Sequence, residues 1–432
     1  MEAEEEDVVT SQTDAIMANK GAKSLAWSKH DTKWVLSLFG TAVGAGILFL
    51  PINAGSGGFW PLIIMAVLIG PMTYLSHRGL SRFVCSSAIP GSDITQVVVE
   101  HFGSGAGKAI TILYFLAIYP IVLIYGVGIT NTVDSFMVNQ LGMDPLPRWI
   151  LSGLLVAGMM AVMMAGQEIM LRVTEALVYP LAAILVLLSL YLIPSWDLST
   201  VTQVSSPGSM LATVWLTIPV LVFAFNHSPA ISQFSVSLKR DYGSDAAEKA
   251  DKILGRTATV LVGFVMLFVF SCVLALGPTQ LAEAKAQNLP VLSYLANVHG
   301  SPFIAYFGPI IAFLAIVSSF FGHYLGATEG LHGIVRGQYD PDARKIADPA
   351  LVKAIAVFMF LTTWGVAILN PSILGIIETL AGPVIAAILY LMPMYAIYKV
   401  PALAKYRGQI SNVFVVVAGL IAMSGILYSM FG

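Results

Sequence analysis

The sequence predicts an all-α integral membrane protein of eleven transmembrane helices, with helices 1 and 6 broken and the first ten arranged as a five-plus-five inverted repeat. Three observations lead there. Of the 432 residues, 57% are hydrophobic and only 11% charged, whereas soluble domains run near 25% charged. Eleven apolar runs reach the roughly 18 residues needed to cross a bilayer. Two of those runs, five apart, are interrupted near their middles by residues that a spanning helix avoids, and in lipid a freed backbone group must find a partner or face a cavity.

In chain order, residues 1–33 are a polar tail that includes Glu2, Glu4, Glu5, Glu6 and Asp7 and lacks the apolar core of a signal peptide. The tail is expected to be cytoplasmic and disordered, with the first span as an uncleaved insertion signal. The apolar runs fall at about 34–55, 59–80, 109–134, 148–166, 173–193, 211–237, 254–277, 303–328, 351–369, 373–397 and 412–431. Residues 34–193 then form the first five-helix repeat and 194–397 the second. Residues 398–432 supply a cytoplasmic loop and the eleventh helix. Ile94, Val97, Val98 and Phe102 give the loop Ser86–Lys108 an apolar stripe, so it should lie along the cytoplasmic interface. The outer loop Pro278–Pro302 is expected to hold short helices over the mouth. Cys85 and Cys272 fall in different spans near opposite faces, which predicts packing residues and no disulfide.

Basic residues set the orientation. With the N-terminus in the cytoplasm, 20 of the 22 Lys and Arg lie on cytoplasmic segments or their flanks, leaving Arg148 and Lys285 outside. An even number of spans would scramble that asymmetry, so the positive-inside rule supports both direction and count. The C-terminus is expected on the outer side.

The first interruption is Gly40–Pro51, GTAVGAGILFLP. Each of Gly40, Gly44 and Gly46 costs roughly 1 kcal/mol against Ala in a helix interior. A glycine-packed helix interface would explain them; so would a deliberate break that bares peptide N–H and C=O groups for a ligand. The second interruption is Asn226-His227-Ser228-Pro229, near the middle of the sixth run. Pro229 lacks an N–H and disfavours helix at Ser228. Broken helices at corresponding places in two halves of opposite direction point to an inverted repeat with substrate at its centre.

With both breaks placed, GTAVGAGILFLPINAG, FNHSP, FFGHYLGATEG, LNPSILGIIETLAGP and LMPMYAIYKVPALAKYRGQISNVFVVV resemble the bacterial hydroxy and aromatic amino acid permease family, over nearly the whole chain from Trp27. That family belongs to the amino acid–polyamine–organocation superfamily. The resemblance implies the leucine-transporter type of repeat with an eleventh helix appended. It implies a bacterial inner-membrane secondary transporter that imports L-serine, with threonine next, by cation symport and alternating access. At one place the chain departs from the resemblance. Where the serine and threonine permeases carry a lysine before SF-GHYLG, this chain has Ser318, followed by Ser319. In sodium-coupled relatives of the same fold, two adjacent hydroxyls on helix 8 and carbonyls of the broken first helix hold sodium. The family thus implies H+ coupling and the serine pair implies Na+.

A zwitterionic amino acid needs donors for its carboxylate, acceptors for its ammonium and a pocket for its side chain. Bare N–H groups beside Ala45 and Gly46, at the positive end of a half-helix, suit the carboxylate; a Cβ at Gly44 or Gly46 would hold the backbone off. Carbonyls around Thr41, Ala42, Phe223 and Phe225 suit the ammonium. Asn226, His227 and Ser228 are candidates for the serine hydroxyl, and Tyr119 or Tyr125 for closing the pocket. A cation site would combine carbonyls of Gly40 and Val43 with Ser318 and Ser319, an all-oxygen set apt for sodium. Proton carriers would be ionisable groups at membrane depth, which are rarely idle: His227, His323 and Glu378, with Glu329 nearer the cytoplasm.

Other classes fare worse. His323, Glu329 and His332 do not share a helix face, since six residues at ~100° each turn Glu329 about 240° from His323. No HExxH or GxSxG occurs, so an enzyme is not expected. A channel would want a continuous polar stripe or charged ring, and neither is present. An amino acid exchanger, or a permease for another small or aromatic amino acid, fits the same fold. The expected partners are the amino acid, the coupling cation and the lipid bilayer, with no cofactor beyond that ion and no nucleic acid. Oligomeric state and stoichiometry are left open.

Overall fold

The structure, a computed structural model, describes residues 24–165, 167–202, 204, 206–339 and 346–431. Of the tail expected to be disordered, residues 1–23 lie outside this range, whereas Lys29–Lys33 are not disordered: they already form the start of a capped helix that includes the buried Asp31. Among the described residues the regular structure is all helical, without strands. We number the main helices α1 (Lys29–Ala42), α2 (Ala45–Ala54), α3 (Phe59–Cys85), α4 (Ile94–Asn139), α5 (Arg148–Met164), α6 (Gln167–Tyr191), α7 (Pro207–Ala224), α8 (Ser228–Tyr242), α9 (Ala246–Ala286), α10 (Val291–Val298), α11 (Pro302–Ile334), α12 (Asp348–Leu369), α13 (Ile373–Lys399) and α14 (Ile410–Phe431).

Each of the eleven apolar runs falls on helix. Among the described residues, eight helices are long and apolar enough to cross a membrane, and the bent pair α1–α2 raises this to nine. The fourth and eleventh runs coincide with shorter apolar helices, Arg148–Met164 and Ile410–Gly425. Val67, Leu154, Leu187, Leu361 and Leu420 are exposed on the outside of the bundle, as side chains that face hydrocarbon can be.

Long helices bend where glycine allows it. Within α4, Gly103 (φ 79°, ψ 170°) separates the short segment with buried Ile94, Val97 and Val98 from the spanning part. Within α9, Gly277 (φ 71°, ψ 170°) turns the chain before Pro278, so that Pro278–Ala286 and α10 make the short helices expected in that loop. Positive φ without a Cβ penalty is what both corners require. Cys85 lies at the end of α3 and Cys272 in the middle of α9, both as free thiols.

At the basic end of the bundle, Ser28 caps α1 in a capping box with Asp31. The Asp31 carboxylate also meets Lys249 Nζ of α9 at 2.7 Å, both side chains being at most 1% exposed. Lys249 Nζ donates further to the Ala26 carbonyl (2.7 Å), and Arg256 lies over the Trp27 ring at 3.7 Å. The entry to α1 is thereby tied to α9 by charge and by aromatic packing.

Through the centre, α11 runs along α4 and past both interruptions. Its glycines make the close approaches: a Cβ on Gly322 would stand 3.1 Å from the Thr41 side chain, and one on Gly326 would stand 2.9 Å from Pro229. Small residues at four-residue spacing let helices approach this closely.

A candidate binding site at two helix breaks

The first break is narrower than the sequence suggested. Gly40 and Pro51 are both inside helices, and only Val43 (φ −75°, ψ 89°) and Gly44 (φ −146°, ψ −150°) leave helical geometry. The axes of α1 and α2 diverge by 56° there. No side chain caps the start of α2, so the peptide N–H groups at Ala45 and Gly46 stand at a positive helix end.

The second break spans Phe225, Asn226 and His227, between α7 and α8. Pro229 is in the first turn of α8, where a missing N–H is no loss. The N-cap residue His227 makes no cap bond with its own side chain, but unlike those of α2 the N–H groups at this helix start have side-chain partners. His227 N donates to His77 Nε2 of α3 (3.1 Å), and Ser228 N donates to Asn226 Oδ1 (3.0 Å). Of the two outgoing half-helices, α2 alone offers uncapped donors, which favours it for an anionic group.

The two breaks touch. A Cβ on Gly46 would stand 2.6 Å from Ala224 Cα and 2.8 Å from the Phe223 ring. Gly44 is equally confined, by Ser319 and by the Tyr125 hydroxyl. Glycine packing and helix interruption, which read as alternatives in the sequence, occur together: the glycines let the broken ends meet other backbone.

Ser319 links the first break to the centre. Its Oγ donates to the Thr41 carbonyl (2.7 Å) and receives the Tyr125 hydroxyl (2.6 Å). His323 Nδ1 donates to the Ser319 carbonyl (2.9 Å), with its ring edge-on to Tyr125 at 5.3 Å. Ser319, Tyr125, His323 and Thr41 thus form one buried cluster. Ser318 is buried beside them, but its Oγ bonds back to Ala315 O of its own helix (3.2 Å). Thr41 supplies the α1 carbonyl that Ser319 meets, where Gly40 and Val43 were expected to supply it.

Three of the four carbonyls proposed for an ammonium already accept a hydrogen bond: Thr41 from Ser319, Phe223 from Asn226 N, and Phe225 from His227 Nδ1. Each keeps a second lone pair, and no such bond engages Ala42.

Two candidates are elsewhere. Tyr119 stacks between Phe115 (4.7 Å) and Phe358 (5.5 Å), so it is an aromatic packing residue against α12 and not a lid on the breaks. Glu378 sits in a π-helical turn of α13, accepts from Asn53 Nδ2 (2.7 Å) and pairs with Lys285 (3.4 Å). Its side chain is 28% exposed, lining a cavity of about 420 Å³ with Thr213 and Thr217; it is not the buried mid-membrane group expected of a proton carrier. The residues weighed as a metal set also separate. Glu329 accepts from Ser232 (3.0 Å), His332 faces Asp348 (3.7 Å), and no cluster able to hold a metal occurs among the described residues.

Sequence reasoning missed His77. It stacks face to face on His227, with ring centroids 3.5 Å apart and planes 7° from parallel. The only signal was a histidine within an apolar run, with nothing to say which neighbour it meets.

The sequence model of the tryptophan/tyrosine permease family matches residues 33–429. The chain is 56% identical to the serine transporter SdaC of Escherichia coli (strain K12) over 428 residues, covering 98% of this chain and 99% of that one. It is 46% identical to the threonine/serine transporter TdcC of Escherichia fergusonii over 443 residues, covering 98% and 100%. Among solved structures, MhsT in complex with L-phenylalanine superposes with a TM-score of 0.59 at 17% identity, covering 93% of this chain and 98% of that one. At that identity the likeness is one of fold.

Proposed function

This chain belongs to the tryptophan/tyrosine permease family, and we propose that it is a secondary transporter importing L-serine, with threonine as a second substrate, by cation symport. A member of a permease family is an integral membrane protein and not an enzyme. The observation that carries the reading is the meeting of two broken helices at Gly46, Phe223 and Ala224, with uncapped donors on α2 only. The substrate carboxylate binds at the N–H groups of Ala45 and Gly46, where helix polarity and hydrogen-bond geometry agree. Its ammonium faces carbonyls of Thr41, Ala42, Phe223 and Phe225, and its hydroxyl faces Asn226, His227 and Ser228. Tyr125 and Ser319 tie the first break to α11 behind it.

We further assign eleven spans in a five-plus-five inverted repeat of the leucine-transporter type. The protein lies in the bacterial inner membrane with its N-terminus in the cytoplasm and its C-terminus outside, a direction supported by the basic residues. One cation moving down ~100 mV releases ~2.3 kcal/mol, enough for roughly forty-fold accumulation at 1.4 kcal/mol per decade.

Reconstitution tests the proposal. Proteoliposomes are given an inward sodium gradient alone, then an inward proton gradient alone, and labelled L-serine uptake is measured. Accumulation under either gradient supports symport and names the ion. Sodium-driven uptake favours Ser319, Ser318 and the α1 carbonyls as the ion's site; proton-driven uptake favours His323 or His227 as the carrier. Uptake only in exchange for internal amino acid would overturn symport.

A further inference from the structure

Both rings of the His77–His227 stack have their proton positions set by their partners. His77 Nε2 receives the His227 backbone N–H (3.1 Å), so that nitrogen carries a lone pair. The proton of a neutral ring is then on Nδ1, which lies 2.7 Å from the Thr73 carbonyl and donates to it. His227 Nδ1 faces the Phe225 carbonyl at 3.1 Å, so it too must be the protonated nitrogen. His227 Nε2 is left as a lone pair. That atom is buried without a hydrogen-bond partner, and so is Nδ2 of the adjacent Asn226, whose Oδ1 is held by Ser228 N. Both side chains are 1% exposed.

An acceptor and a donor, neighbours in the chain at a helix break, are therefore both buried and unmet. Buried polar groups without partners are destabilising and are rarely retained without a reason. A hydroxyl can answer either, donating to Nε2 or accepting from Nδ2. A methyl group answers neither.

We infer that His77 is a positioning residue that makes this site selective for a substrate hydroxyl, by holding the His227 backbone and ring so that Nε2 presents a lone pair. The inference rests on the serine-transport reading and deepens it. His77 touches no substrate; it acts through the N–H it accepts and the ring it stacks on. A charged His77 would turn its Nε2 into a donor facing the His227 N–H, which the geometry forbids. A site built to bind a hydroxyl strongly rejects the analogue that lacks one, because its own polar groups then stay unpaired.

The test is competition against labelled L-serine by the native protein and two variants in proteoliposomes. For the native protein, L-alanine and 3-fluoro-L-alanine both compete at least about tenfold more weakly than L-serine, since fluorine cannot donate to Nε2. Equal competition by 3-fluoro-L-alanine and L-serine overturns the inference without any variant. His77→Gln, which can set a carbonyl near the place of Nε2, keeps the serine-to-alanine preference within about threefold. His77→Leu keeps bulk but no acceptor; it raises the half-saturation for serine roughly tenfold and leaves that for alanine unchanged. An unchanged preference in His77→Leu, or an equal loss for both amino acids, refutes a positioning role. Should His77→Leu fail to reach the membrane, His77→Phe, which keeps a ring to stack on His227 but has no acceptor, takes its place with the same expected and refuting outcomes. Absence of serine and alanine uptake by the native protein would remove the transport reading itself, a different failure from lost preference.

Discussion

Substituting Gly46 by alanine adds one carbon where two broken helices meet. That carbon would lie 2.6 Å from Ala224 Cα and 2.8 and 2.9 Å from two carbons of the Phe223 ring. Comfortable carbon–carbon separation is ~3.5–4.0 Å, so α2 and α7 must part by roughly 1 Å. The nearest obstacle is backbone and cannot rotate away. Overpacking of this kind costs ~1–3 kcal/mol. Against it stands a gain of at most ~1 kcal/mol from replacing Gly by Ala in a helix, and Gly46 is only the second residue of α2. The net penalty is ~1–2 kcal/mol. If the strain falls on the substrate-loaded state, half-saturation for serine rises roughly five- to thirty-fold at 1.4 kcal/mol per decade. The assay is initial-rate L-serine uptake at matched membrane levels, with thermal unfolding of the purified variant alongside. Gly70→Ala is the control: it lies on α3, and an added Cβ there meets nothing within 4 Å, so uptake should be native. Native half-saturation and unfolding temperature for Gly46→Ala would refute the claim that the breaks are held together at this residue.

Lys249→Met strands the fully buried Asp31 carboxylate; thermal unfolding in detergent should show a loss of ~3–5 kcal/mol. Adding Asp31→Asn should restore most of it, and no recovery would place the loss elsewhere. Ser319→Ala removes the bonds to Thr41 O and the Tyr125 hydroxyl and should weaken serine uptake by ~1–3 kcal/mol. Ser318→Ala, whose hydroxyl bonds only within its own helix, should weaken it less; the reverse order would contradict the cluster described. Glu378→Gln breaks a half-exposed pair with Lys285 worth ~0–1 kcal/mol. Uptake driven by a proton gradient should stay within about twofold of native, and its abolition would return Glu378 to the coupling path.

What could be read from the chain is what backbone chemistry imposes locally. Apolar runs mark helices wherever they pack, and Gly44 and Asn226–Pro229 mark interruptions because glycine and proline act on the residues beside them. The hinge glycines 103 and 277, with positive φ, follow the same logic, although the sequence alone did not single them out. The partners across the bundle are another matter. His77 meets His227 across 150 residues, and Asp31 and Lys249 close an ion pair that reads in sequence as two ordinary flank charges. Ser319 reaches Thr41, while its neighbour Ser318 turns back on its own helix. Tyr119 and Tyr125 differ by six positions, yet one enters an aromatic stack and the other the central cluster. Consecutive helical positions point ~100° apart, so which face meets which neighbour depends on how each helix is rotated in the bundle. That rotation is set by the joint packing of all the helices, and it decided which polar groups are paired and that two beside the second break, Asn226 Nδ2 and His227 Nε2, are not.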